Sequence, residues 1–137
     1  MTKLDHMFRS AIGRRIERVN FARNLWLTKP RMEVSIIVER GHFVISDCSP
    51  ITNAEADAIR GRAIESIIVE INDDEKAHWL PARLSITVGG GDTIELTAHV
   101  PIYYMDEDTR MFERFPVPIN FMDDRSGFHN PFGDLPR

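Results

Sequence analysis

The chain is predicted to be an α+β domain: a mainly antiparallel sheet of about five strands, an amphipathic N-terminal helix, a second short helix and an extended C-terminal arm. Three observations carry that expectation. From Leu4 to Trp26 apolar residues recur at three- and four-residue steps, the period of one helical stripe. Several later runs alternate apolar and polar residues, as strands with one wet face do. Past Pro101 the pattern is broken by charge and proline, which cannot donate to a sheet ladder. The expected division is therefore a basic helix over residues 1–30, an α+β core over 31–104 and an arm over 105–137.

In the first segment the stripe comprises Leu4, Met7, Phe8, Ala11, Ile12, Ile16, Val19, Ala22 and Trp26. Gly13 lies in its middle at a cost of about 1 kcal/mol relative to alanine, which points to close packing there. Thr28-Lys29-Pro30 ends it, because the residue before proline is kept out of helical torsions. Val34, Ile36 and Val38 then alternate with polar residues as a strand, Arg40-Gly41-His42 turns the chain, and Phe43–Ser46 returns. Asp47-Cys48-Ser49-Pro50 breaks that strand, and Thr52-Asn53-Ala54-Glu55 has the spacing of a capping box opening a helix over about 54–64.

Ser66–Ile71 reads as a third strand, followed by an acidic loop over residues 72–76. Leu84, Ile86 and Val88 alternate up to Gly89-Gly90-Gly91, and Ile94, Leu96, Ala98 and Val100 alternate on the return. Both apolar sets share a face only if the connection holds an odd number of residues, so a three-residue hairpin loop with a bulge is expected. The arm carries Phe128, Phe132 and Leu135 without a helical or strand period, so these side chains need a surface supplied by something else.

At 137 residues the chain suffices for one core that buries roughly two thirds of its unfolded surface. An apolar share of 42% and a charged share of 28% exclude the disordered and fibrous classes. The single cysteine, Cys48, forms no internal bridge, and no apolar run has the length of a membrane helix. No secretory signal is recognisable at the N-terminus, so the expected location is the cytoplasm or a virus particle.

Net charge is −4, unevenly spread: residues 1–31 hold eight Lys or Arg against two acidic residues, and the remainder nine against nineteen. On a helix Arg14, Arg15 and Arg18 fall within about one turn, where they are either simply solvated or meet something anionic. An acidic protein surface is favoured over nucleic acid, since no RNA-binding aromatic motif or helix-turn-helix pair accompanies them.

Candidate chemistry is sparse. Asp47-Cys48 with His42 has the residue types for a thiol and base, but packing explains most lone cysteines. The five histidines lack metal-binding spacing, and the acidic runs lack the calcium-loop pattern, so no metal or cofactor is expected. An alternative small-molecule site falls on the polar strand face around His99, Glu95 and Arg83. The run IESIIVEINDDEKAHWLPARLSITVGGGDTIELTAHV resembles, in its order of strand, loop, proline, strand, glycine turn and strand, the small mixed domain of 2-methylcitrate dehydratase-type enzymes. It covers about a quarter of the chain, that family's large helical portion has no counterpart, and no catalytic residue carries over.

The function expected from the sequence is a non-catalytic assembly subunit, docking through the basic helix (Arg14, Arg15, Arg18) and the apolar arm (Phe128, Phe132, Leu135). Its partners would be copies of itself or a larger complex, for instance a virus particle. A nucleic-acid module led by the N-terminal segment is the third reading.

Overall fold

A computed structural model describes residues 2–23, 31–72 and 79–116. Within them the chain forms β1 (Thr2–Leu4), a 3-10 turn (Arg9–Ala11), β2 (Ile16–Arg23), β3 (Met32–Val38), β4 (Gly41–Cys48), α1 (Asn53–Ile59), β5 (Ile64–Ile71), β6 (Ala82–Val88), β7 (Thr93–Ala98), β8 (Ile102–Asp106) and β9 (Met111–Phe115). The fold is therefore mostly β, and the α+β expectation with about five strands is overturned: nine strands form one antiparallel sheet.

Strands follow the order β1-β5-β6-β7-β4-β3-β2, with β8 beside β4 and β9 beside β8. One side of β4 is shared. Cys48 at its end pairs with Ala98 of β7, whereas Gly41 to Val44 pair with Asp106 to Tyr103 of β8. Thus β7 and β8 run past β4 in a single line, interrupted at residues 99–101, where Pro101 cannot donate to the ladder.

The sheet also curls until its members meet. Gly13 N donates to Ile64 O at 2.8 Å, Ile64 N to Arg14 O at 2.9 Å, Ile16 N to Arg62 O at 2.9 Å and Gly61 N to Ile16 O at 2.7 Å. The approach to β2 is thereby stitched to the approach to β5. Inside the curl lie Val34, Ile36, Phe43, Ile45, Ile67, Val69, Leu84, Ile86, Ile94 and Leu96, all essentially without solvent contact.

The N-terminal helix expected over Leu4–Trp26 does not form, since residues 2–4 and 16–23 are strands. Two local features imitate a helical period. The 3-10 turn brings Phe8 and Ala11 inward three residues apart. A β-bulge then shifts register between Ile16 and Arg18, so that Ile16 and Val19 both face the core although strand side chains normally alternate. Gly13, with φ of +92°, turns the chain between them and so does not mark helix packing.

Elsewhere the local chemistry behaves as its residues dictate. Thr52 Oγ1 accepts from Glu55 N at 3.1 Å while Glu55 Oε1 accepts from Thr52 N at 2.8 Å, the reciprocal capping box that opens α1. The helix stops at Ile59, short of residue 64, because Gly61 with φ of +83° redirects the chain into β5. In the β6–β7 hairpin Leu84 faces Leu96, Ile86 faces Ile94, and Val88 N donates to Asp92 O at 2.9 Å, leaving three glycines as the loop.

Residues 105–115, expected to belong to an extended arm, are part of the sheet, and the rest of the expected arm lies outside the described residues. Residues 102–115 form the β8–β9 hairpin, whose turn is fastened by Asp106 Oδ2 accepting from Thr109 N at 3.0 Å and from Thr109 Oγ1 at 2.7 Å. An aspartate that bonds the backbone a few residues on favours a turn, which is why the acidic stretch reverses the chain instead of extending it. Phe115 packs inward and stacks on Trp79 at 5.8 Å.

Candidate functional site

Antiparallel register places directly paired residues on one face, and two rows of outward side chains cross the sheet from β2 to β9. One row is Arg18, Ile37, His42, Met105 and Phe112; the next is Asn20, Ser35, Val44, Tyr103 and Arg114. Where β4, β8 and β9 contribute, the face is apolar and encloses an open hollow of about 290 Å³ lined by His42, Val44, Tyr103, Met105 and Phe112. Tyr103 and Phe112 meet edge to face at 6.2 Å. The Arg114 guanidinium lies 5.9 Å from the centre of the Tyr103 ring and donates to Pro116 O at 2.8 Å, so a cation is fixed at the rim.

This arrangement suits an aromatic or aliphatic side chain flanked by acidic groups. Tyrosine and phenylalanine offer large area with few torsions to freeze, and methionine adapts to the shape it meets. Of the residues lining the hollow, the sequence marked only His42 as a candidate for chemistry, and Tyr103, Met105 and Phe112 were not expected there. The available signal was Ile102-Tyr103-Tyr104-Met105, apolar or aromatic at every position, the mark of a strand with apolar groups on both faces.

Arg14, Arg15 and Arg18 do not form the helical basic patch expected of them. The Arg14 side chain turns inward: Nη2 meets Asp106 Oδ1 at 2.9 Å, and Nη1 donates to Glu39 O at 2.8 Å and Arg40 O at 3.1 Å. Arg15 and Arg18 are exposed, and only Arg18 belongs to the outward rows. Asp106 is wholly buried and also accepts from Tyr104 Oη at 2.9 Å. Burial alone would raise its pKa, but Thr109, Tyr104 and Arg14 together outweigh burial and hold it below the usual carboxylate range. Nearby Glu113 is raised, first by burial and then by the Asp106 charge, although its Oε2 accepts from Phe8 N at 3.2 Å. This is a structural lock between the N-terminal segment and the β8–β9 hairpin.

Arg83 on β6 and Glu95 on β7 are exposed, and His99 follows the end of β7 with its ring Nδ1 buried. Arg83 is engaged by Glu70 on β5 at 3.3 Å, Glu95 is exposed opposite Ser85, and the His99 backbone N donates to Asp47 O at 2.8 Å. His42 faces the outer hollow whereas Cys48 is buried in the core, so thiol and imidazole stand on opposite sides of the wall. Burial, aided by the Asp47 charge, pushes the Cys48 thiol up to about 12. Because thiolate is the reactive form, Cys48 in the folded protein is expected to resist a thiol-labelling reagent at neutral pH and to react fully once urea unfolds the chain. Rapid labelling of the native protein would refute this.

Among the described residues no group of three or more His, Cys, Asp or Glu is placed to hold a metal ion, and no helix is long and apolar enough to cross a membrane. Phe128, Phe132 and Leu135 lie outside the described residues, as do the acidic runs 73–75 and 123–124. No protein-family model, curated protein or solved structure matches this chain.

Proposed function

We propose that this chain is a non-catalytic assembly subunit that docks onto copies of itself, within a homo-oligomer or a larger complex, through the outward apolar face of β4, β8 and β9 and its C-terminal arm. The single observation that supports this reading is the cluster Val44, Tyr103, Met105 and Phe112 around a 290 Å³ hollow on the outside of the sheet. Apolar groups gathered outside a finished core mark interaction sites on small domains. Tyrosine, phenylalanine, methionine and arginine are the types that interfaces favour. Arg18 and Arg114 at the two ends of the rows add a charge requirement that limits which surfaces fit.

Sedimentation of the full chain over a range of concentrations tests the reading. The wild-type chain is expected to associate, and Tyr103→Ser combined with Met105→Ser to raise the dissociation constant at least about tenfold with circular dichroism unchanged. A wild-type chain that stays monomeric throughout, or a double variant that associates undiminished, overturns it.

A further inference from the structure

We propose that residues 5–13 form an acid-fastened strap: Glu113 holds them against the β8–β9 hairpin at mildly acidic pH and lets them lift, Phe8 with them, as it loses its proton toward neutral pH. This goes beyond the assembly reading and does not depend on it. The strap is anchored at both ends on β5. Thr2, Lys3 and Leu4 pair with Ile71, Glu70 and Val69, and Gly13 N donates to Ile64 O at 2.8 Å. Between these points the chain reaches across to the hairpin, where Phe8 N donates to Glu113 Oε2 at 3.2 Å and the Phe8 ring stands edge-on to Phe43 and Tyr104. Phe8 and Ala11 are buried, whereas Asp5, His6, Arg9, Ile12 and Gly13 are exposed, so few side chains hold the strap down. Segments held in this way open locally, before the sheet does. Lifting also frees Phe8 from its left-handed φ of 58°.

Glu113 is placed to be the fastener that titrates. It pairs with Tyr104, whose side chain is buried, so the two share the inward face. From β8 the neighbours are Tyr104, kept neutral by burial, and Asp106, kept ionised by Arg14, Thr109 and the Tyr104 hydroxyl. From the approach to β2 comes Arg14, already spent on Asp106 at 2.9 Å and on Asp108 at 3.5 Å. From the strap itself His6 favours a charge on Glu113. A second negative charge on this half-buried inner face, beside one that is not given up, is disfavoured. A proton on Glu113 relieves it, and the carbonyl oxygen still accepts from Phe8 N. Burial pushes the carboxyl up, Phe8 N and His6 pull it down and the Asp106 charge pushes it up again, with the balance above the ordinary 4.5. The folded chain therefore holds this proton more tightly than the opened one. The fastening is complete below 4.5 and is lost as pH rises through the folded value. Asp106 acts in the opposite sense, fading only below its own lowered value, so the strap is tightest between the two.

Amide hydrogen exchange of the full chain between about pH 5 and about pH 7.5 tests this, each rate divided by the intrinsic rate at the same pH. In the wild-type chain the protection of the Phe8 amide is expected to fall at least about threefold across that range, the equivalent of half a pKa unit. At every pH it should stay at least about tenfold below the best-protected amides of β6, because the strap lifts without the sheet opening. Glu113→Gln keeps an oxygen for Phe8 N but carries no charge. Its Phe8 amide is expected to match the wild type most closely at the acid end and to stay level, so that near neutral pH it is at least about threefold better protected. His6→Gln is expected to retain the fall. Wild-type protection that stays flat or rises with pH overturns the proposal whatever the variants do. So does Phe8 protection equal to that of β6, which would mean that the strap does not lift alone. A fall that persists in Glu113→Gln, or disappears in His6→Gln, assigns the titration to another group and overturns it as well.

Discussion

Replacing Asp106 with alanine is expected to destabilise the fold by about 3–5 kcal/mol, the usual cost of stripping one partner from a buried ion pair. The carboxylate has no solvent contact, and the Arg14 side chain that faces it is only 14% exposed. Removing the carboxylate leaves the Arg14 guanidinium with two backbone carbonyls and only the more distant, half-exposed Asp108 carboxylate at 3.5 Å as counter-charge, and leaves Tyr104 Oη and Thr109 without their acceptor. Against a typical domain stability of about 5–15 kcal/mol this is a large fraction. Urea unfolding of Asp106→Ala, Arg14→Ala and the double variant measures it. The double variant is expected to be markedly less destabilised than the two single losses added together. Full additivity would mean that the pair is not coupled.

Asp106 also sets an acid limit. Folding lowers its pKa, so the folded chain binds this proton less tightly than the unfolded one. Its contribution is therefore complete above the ordinary carboxylate value of about 4 and is lost as pH falls through the lower folded value. Asp106→Asn is expected to be less stable at neutral pH and to lose less on acidification. A variant whose acid limb parallels the wild type would assign that limb to other carboxylates.

Phe8→Ala carries a comparable penalty, about 3–5 kcal/mol, because a whole aromatic ring leaves a closed core. Phe8 is fully buried, edge-on to Phe43 at 5.6 Å and to Tyr104 at 6.3 Å, while Phe43 and Tyr104 lie 4.5 Å apart. No neighbour is free to fill the void, since both partner rings are held on paired strands. Phe8 also has φ of 58°, a left-handed conformation that costs a residue with a Cβ roughly 1–2 kcal/mol. Phe8→Gly loses the same ring but relaxes that strain, so it is expected to be no less stable than Phe8→Ala. Chemical denaturation of the two variants tests both statements. A Phe8→Ala loss under 1 kcal/mol would show that the ring is not part of the core.

Legibility in the sequence followed the range of the interactions. The β6–β7 hairpin was readable because three consecutive glycines and two alternating runs lie within a few residues of one another. The capping box of α1 was readable for the same reason, since Thr52 and Glu55 satisfy each other's backbone. The N-terminal segment was not, because its three-residue steps arise from a 3-10 turn and a bulge, and the bulge exists only through pairing with β3. Arg14 looked like a surface charge for want of its partner, which lies ninety-two positions further on. Likewise the outer hollow depends on β4 and β8 being neighbours, which no local pattern specifies. The residues were present in plain alternation, but the face they share is created by strand order.

Among the described residues the sheet's margins are β1 with three residues, β9 with five and β2 with eight, the last carrying the exposed Arg18 and Arg23. Lys3 on β1 keeps its side chain 67% exposed, and Arg114 stands on β9. Margins that are short or bear cations are poor templates for edge-to-edge strand addition. At high concentration the native protein should therefore resist growth into fibrils, and cross-β deposits would have to start from chains that have first lost this sheet.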